Sequence, residues 1–228
     1  MLLRIPNLLS AEQVAHCRET LAGAAWADGR ATAGAQSSLA KHNLQLPEHA
    51  PEAAALGELI LAALAANADF MSAALPLKVF PPLFNRYGAG MGFGDHIDNA
   101  VRVSPVAGAR YRTDLSCTVF LADPPEYDGG ELVIEGGGLA PARVKLPAGD
   151  AILYPATTVH RVEPVVRGER WAAFFWVQSM VAEAGRRDLL HELDRAIATA
   201  RADLGDTHAA AVSLVGVYHN LVRMWCEV

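Results

Sequence analysis

The sequence predicts a mainly β, α+β protein: a β sandwich or barrel, of which a jelly roll is one solution, with helices at both ends. From about Leu77 to Ser179, short segments rich in aromatic and β-branched residues alternate with Gly- and Pro-containing turns. Before and after that stretch, apolar residues recur at helical spacing instead. The chain has 228 residues, 52% hydrophobic and 19% charged, enough for one large domain with a substantial core. The expected division is 1–76 as helical support, 77–179 as the β core and 180–228 as a helical extension.

Ser10 with Gln13 three residues on is a capping-box pattern, opening a helix through about Ala25. Gly29–Leu46 has no clear period and reads as loop or irregular strand. Pro51 suits the first turn of a second helix that carries Leu56, Ile60, Leu61 and Leu64. The expected strands are Lys78–Tyr87, Gly92–Asp98, Thr113–Leu121, Glu131–Ile134, Ala151–Tyr154, Thr158–Val166 and Trp171–Gln178. Asp128-Gly129-Gly130 and Pro147-Ala148-Gly149-Asp150 supply turn chemistry between them. Past Ser179, Leu189, Leu190, Leu193 and Ile197 make a helical stripe opposite Glu192, Arg195 and Arg201. Ala209–Trp225 is apolar almost all round, the pattern of a helix packed on the core or buried between subunits, so a homo-oligomer through this helix is a candidate.

A formal charge of −6 argues against nucleic acid or an anionic membrane as the main partner. No apolar run is long enough to span a bilayer, and Met1–Leu9 lacks the basic region and long apolar core of a secretory signal. Cys17, Cys117 and Cys226 are scattered, with no C-x-x-C pair, as expected for buried, reduced thiols in a cytoplasmic protein.

The chemistry concentrates on His96, Asp98 and His160. Side chains at i and i+2 of a strand share a face, so His96 and Asp98 are expected to converge on one ion. A second imidazole from a distant strand completes the two-His, one-carboxylate set that holds non-haem Fe(II) with open positions. An H-x-D pair alone is a weak signal, and His160 alone reads as well as a satisfied structural histidine. The Gly88-Ala89-Gly90-Met91-Gly92 stretch before the pair strengthens it, because glycines let backbone approach a ligand. His42, His49, His191, His208 and His219 fall in expected loops or helices, and His16 on a helix face. Arg170 lies ten residues past His160, an even offset that returns it to the barrel interior if the turn between them preserves parity. A buried guanidinium calls for an anion, and its fork matches a carboxylate. The alternative is a surface arginine beside the Arg167-Gly168-Glu169 turn. Arg102, Arg110, Arg112 and Asp114 flank the connection after Asp98 and read as solvated loop charges, unless that connection closes over the metal.

With these residues in place, the chain resembles the iron- and 2-oxoglutarate-dependent dioxygenases. More narrowly it is similar to the bacterial PKHD-type hydroxylases of the prolyl 4-hydroxylase-like branch. The likeness rests on Asn85-Arg86-Tyr87-Gly88, Gly94-Asp95-His96-Ile97-Asp98-Asn99-Ala100, Arg112-Thr113-Asp114-Leu115-Ser116 and Tyr127-Asp128-Gly129-Gly130-Glu131-Leu132. The C-terminal Gly216–Trp225 segment extends it over nearly the whole chain. The resemblance implies a double-stranded β-helix, Fe(II) on His96, Asp98 and His160, and Arg170 against the distal carboxylate of 2-oxoglutarate. It places Tyr87 beside the co-substrate, where a core aromatic is the competing reading, and Trp176 on the pocket wall or in the core. It implies hydroxylation of an unidentified primary substrate by O2, with decarboxylation of 2-oxoglutarate to succinate. It also brings ascorbate as a candidate reductant, and a link to bacterial iron uptake with a siderophore or a protein side chain as target. Two alternatives stand against it. One is a metal-binding module without turnover; the other is a cupin-like enzyme that does not use 2-oxoglutarate, where more histidines and no buried Arg are expected.

Overall fold

In the computed structural model, residues 1–32, 35–105 and 108–228 are described. The strands come in chain order as β1 (Leu3–Ile5), β2 (Ala27–Asp28), β3 (Lys41–His42), β4 (Leu44–Gln45), β5 (Pro76–Val79) and β6 (Leu83–Tyr87). Next are β7 (Gly92–His96), β8 (Val101–Val103), β9 (Arg110–Arg112), β10 (Leu115–Phe120), β11 (Tyr127–Gly129) and β12 (Leu132–Gly136). The last five are β13 (Leu139–Val144), β14 (Ala151–Pro155), β15 (His160–Val162), β16 (Val165–Gly168) and β17 (Arg170–Ser179). The α-helices are α1 (Ala11–Ala22), α2 (Ala35–Ala40), α3 (Pro51–Ala66), α4 (Ala68–Ala74), α5 (Ala184–Leu204) and α6 (Ala209–Trp225).

Two antiparallel sheets form the core. The larger has the order β1-β14-β10-β17-β6-β4-β2, with β5 also on β17; the smaller runs β13-β12-β15-β7-β3. This is the jelly-roll arrangement the turn-rich middle of the chain led us to expect. Every residue of β10 is buried and β17 is nearly so, which matches their central places in the larger sheet and their mostly apolar sequences. Helices α1, α3 and α4 add Cys17, Leu21, Leu56, Ile60, Leu64 and Phe70 to the same core. Burial pushes the Cys17 thiol up to about 11 and Cys117 higher still, so both are inert apolar fillers. Among the described residues, no single helix is long and apolar enough to cross a membrane.

The capping box forms as read: Gln13 N donates to Ser10 Oγ and Ser10 N to Gln13 Oε1. The helix it opens stops at Ala22, with Gly23 as its C-cap, short of Ala25. Pro51 does start α3. Asn67 then ends that helix and caps α4, accepting from Phe70 N at 2.8 Å. Two expected strands are each broken in two by proline, which cannot donate to a ladder: Lys78–Tyr87 at Phe80-Pro81-Pro82, and Thr158–Val166 at Glu163-Pro164. Gly92–Asp98 ends at His96. Within Gly29–Leu46 the irregular-strand expectation is met by the two-residue strands β3 and β4, while a 3-10 turn at Gly29–Thr32 and the short helix α2 are additions to it.

At the C-terminal end, Leu190 and Ile197 are buried in α5 but Leu189 is 59% exposed, so the core-facing stripe is narrower than the sequence suggested. Arg187 and His191 replace it on the inner face: Arg187 Nη1 donates to the Val181 and Ala182 carbonyls, and His191 Nδ1 meets Ser72 Oγ at 2.9 Å. Helix α6 packs Tyr218, Leu221, Val222 and Trp225 against Leu75, Val181 and Leu190, and leaves Val212, Val217 and Met224 exposed.

Candidate metal centre

His96 ends β7 and His160 begins β15, and the two are direct register partners across the smaller sheet. The same ladder pairs Val162 with Phe93, so three steps along β7 match two along β15. That extra residue is a β-bulge, and it resets the parity of β7 so that Phe93 and His96, an odd number apart, both line the pocket. Their rings stack with centroids 3.6 Å apart and 13° between planes. Asp98 lies two residues past the end of β7 and belongs to no strand, so the strand alternation expected to join it to His96 does not extend that far.

The donor atoms of His96, Asp98 and His160 lie within 4.8 Å of one another, the one such cluster among the described residues. His160 Nε2 is 3.7 Å from Asp98 Oδ2, and the imidazole centroids are 4.2 Å apart. Each ring is held by its other nitrogen: His96 Nδ1 meets Gly94 O at 2.8 Å and His160 Nδ1 meets Thr158 O at 2.9 Å. A carbonyl oxygen only accepts, so Nδ1 carries the proton and the Nε2 lone pair is free to bind a metal. Burial, reinforced by the neighbouring His160, pushes the His96 imidazole down to about 4, so it is neutral near pH 7. Ser116, on β10 of the opposite sheet, donates to Asp98 Oδ2 at 2.5 Å and orients the carboxylate. Replacing Ser116 with alanine should weaken Fe(II) binding by ~10- to 100-fold without abolishing it, as is typical when a ligand's orienting partner is lost. Anaerobic iron titration measures this.

Arg170 opens β17 in the larger sheet, so it is not on the strand that carries His160. The even offset between them is therefore not what brings it inward: β16 and a turn at Gly168 intervene. Gly168 has φ +75°, and a Cβ there would sit 2.0 Å from Glu126 O, so only glycine fits the turn that launches β17. Arg170 is 1% exposed, and its Nε and Nη1 have no hydrogen-bond partner among the described residues. The surface reading is thereby excluded. Its register partner is Tyr87 on β6, equally buried, whose ring centroid is 5.4 Å from the guanidinium carbon. Burial raises the Tyr87 hydroxyl above its ordinary range, partly offset by Arg170 and the Asn43 amide.

These residues line one pocket of about 800 Å³, counting its open mouth, between the two sheets. Trp176 is on its wall and also packs on Phe80, 5.4 Å centroid to centroid, so wall and core are one role here. Sequence reasoning missed Lys41, Ser116 and Tyr154 on the lining and read Arg102 as a solvated charge. Arg102 is instead half-buried there, its guanidinium 4.5 Å from the Trp176 ring centroid. Of the other charges on that connection, Arg110 is exposed, as read, whereas Arg112 pairs with Asp114 at 2.8 Å and Glu227 at 2.8 Å, and Asp114 accepts from Ser179 N.

The 2OG-Fe(II) oxygenase superfamily matches residues 82–178, and the PKHD-type hydroxylase C-terminal domain matches 185–227. A PKHD-type hydroxylase of Methylobacterium nodulans is 56% identical over 227 residues, covering 100% of both chains. One from Burkholderia thailandensis is likewise 56% identical over 227 residues, with 100% coverage of both. The chain belongs to the PKHD-type hydroxylases. A crystal structure of a Pseudomonas putida prolyl-4-hydroxylase, at 19% identity, covers 78% of this PKHD-type chain and 92% of its own with a TM-score of 0.54, so the fold is shared. As a PKHD-type hydroxylase the protein is a dioxygenase that uses Fe(II), 2-oxoglutarate and O2. Its pocket fits both groups: two imidazoles and a carboxylate suit Fe(II), and a buried guanidinium with unsatisfied donors suits a carboxylate end.

Proposed function

We propose that His96, Asp98 and His160 hold the iron, that Arg170 binds the distal carboxylate of 2-oxoglutarate, and that Tyr87 lies against the same co-substrate. The observation that carries this is Arg170: a guanidinium 1% exposed, with two nitrogens unsatisfied, in the same pocket as the His-Asp-His cluster. An unmatched buried charge is costly, and a carboxylate entering the pocket offsets that cost.

When bound, iron with 2-oxoglutarate and O2 supplies the oxidising power for C–H hydroxylation and yields succinate. The chain's own residues do the rest. Asp98 contributes one negative charge to the donor set, and Ser116 keeps its carboxylate aimed. The Gly94 and Thr158 carbonyls keep the protons of His96 and His160 on Nδ1, away from the metal side. Phe93, Leu132, Val162 and Phe174 keep the pocket apolar, which strengthens the charge pairing at Arg170.

A prolyl side chain as target is suggested by the name of the branch the chain resembles, since a shared fold does not fix a substrate. A siderophore or protein side chain in bacterial iron uptake, ascorbate as reductant and a cytoplasmic setting are supported by family likeness. A homo-oligomer through α6 is supported by its exposed Val212, Val217 and Met224. The division at 76/77 and 179/180 is supported by family matches that fall inside the second and third parts.

Oxygen uptake by the iron-loaded protein tests the assignment. We expect uptake and succinate release only when 2-oxoglutarate is present. Uptake that ignores 2-oxoglutarate favours a cupin-like oxygenase, and iron binding without uptake favours a binding module.

A further inference from the structure

Among the described residues, every pair of aromatic rings in contact crosses at 52° or more except Phe93 on His96, at 13° with centroids 3.6 Å apart. Atoms in van der Waals contact are themselves ~3.5 Å apart, so these two rings lie face to face with little lateral offset. Two uncharged rings favour an offset stack or an edge-to-face contact instead, because each face carries negative charge. The second imidazole keeps that preference: Tyr154 meets His160 edge-on, at 5.2 Å and 70°.

The backbone holds both members of the parallel pair. Gly92 lets β7 lie close to its neighbour, since a Cβ there would come within 3.0 Å of Val162 O. Phe93 is in register with Val162 on one side and with Lys41 on the other. His96 is fixed in turn by its Nδ1 on Gly94 O at 2.8 Å. Lys41 Nζ stands 5.6 Å from the Phe93 centroid, so the imidazole is the closer partner of that ring. Phe93 is half-buried and lines the pocket, so it is not a core filler alone.

An electron-poor ring reverses the preference. An imidazole whose Nε2 lone pair is given to a dication takes on part of the positive charge, and the negative face of a phenyl ring attracts it as it attracts any cation. We propose that Phe93 is a positioning residue for the metal: its ring face keeps His96 in its ligating plane and stabilises that imidazole more strongly with the metal bound than without it. This role deepens the proposed function and rests on its assignment of His96 as a ligand.

The test titrates the metal-free full chain with Fe(II) under anaerobic conditions, without 2-oxoglutarate and without turnover. Phe93→Leu keeps an apolar side chain but has no ring face, and should weaken Fe(II) binding by ~5- to 30-fold, the scale of a cation over a ring in a desolvated site. Phe93→Tyr keeps the face and should bind close to the wild-type value. Phenylalanines carrying one and then three ring fluorines, placed at this position, keep the shape while draining negative charge from the face. Affinity should fall stepwise along that series. Wild-type Fe(II) affinity in Phe93→Leu overturns the role. So does a fluorine series that binds as tightly as the wild type, because the ring would then only fill space. Failure of the ligand assignment shows separately, as a His96→Ala protein that binds Fe(II) like the wild type whatever stands at position 93.

Discussion

Replacing Asp98 with alanine should reduce Fe(II) affinity and 2-oxoglutarate-dependent succinate formation together, by more than ~100-fold. The lower bound comes from partners that merely orient a ligand, whose loss costs ~10- to 100-fold. Asp98 is one of three donors and the only anionic one. The fold should survive, because Asp98 belongs to no strand and its recorded side-chain partners are Ser116 Oγ and His160 Nε2. Asp98→Asn keeps the size and the oxygen that accepts from Ser116 but removes the charge, and should lose nearly as much activity. Iron titration with thermal unfolding of both variants checks this. Wild-type-like succinate formation from Asp98→Ala would refute the ligand assignment.

Arg170→Met should raise the 2-oxoglutarate requirement by roughly 10- to 100-fold, the scale of hydrogen bonds to a charged group at ~1.5–3 kcal/mol. Iron affinity should change far less. The same variant carries a stability signature that a purely structural arginine would not give. Without ligand, the wild type holds a buried guanidinium with Nε and Nη1 unsatisfied, so a methionine there should leave the ligand-free protein as stable or more so. The thermal stabilisation on adding 2-oxoglutarate should shrink at the same time, because binding to the folded state is what generates it. A variant with unchanged co-substrate dependence, or a ligand-free protein badly destabilised, places Arg170 in the framework rather than the site.

Residue identity made the donors legible: few roles need two imidazoles and a carboxylate together, and a buried arginine demands an anion. The geometric reasons were less legible. Strand alternation predicted the His96–Asp98 convergence, yet the strand stops at His96, and a bulge before it brings Phe93 and His96 to the same pocket. Even spacing predicted Arg170, yet a glycine-dependent turn into another sheet delivers it. A bulge and a left-handed turn are single-residue events, and a two-residue period cannot register them.

Lys41 stayed hidden because β3 is two residues long and owes its place to pairing with β7, not to any local pattern. Arg102 was misread because β8 and β9 are three residues each, too short to show alternation, and the hairpin they form gains its burial from Trp176 and Phe80. β13 was missed for a similar reason. It is an edge strand carrying Pro141 and Arg143, residues an edge tolerates and a central strand does not. The long helices and central strands, where burial and period agree, were read nearly correctly.

Anomalous diffraction at the iron edge, on crystals grown anaerobically with Fe(II) and 2-oxoglutarate, asks directly whether one cation joins two imidazoles and a carboxylate beside an arginine anchor. The account predicts a single iron bonded to His96 Nε2, His160 Nε2 and an Asp98 oxygen, with the far carboxylate of 2-oxoglutarate on Arg170. Iron at any other position, or a co-substrate whose far carboxylate leaves Arg170 untouched, contradicts it.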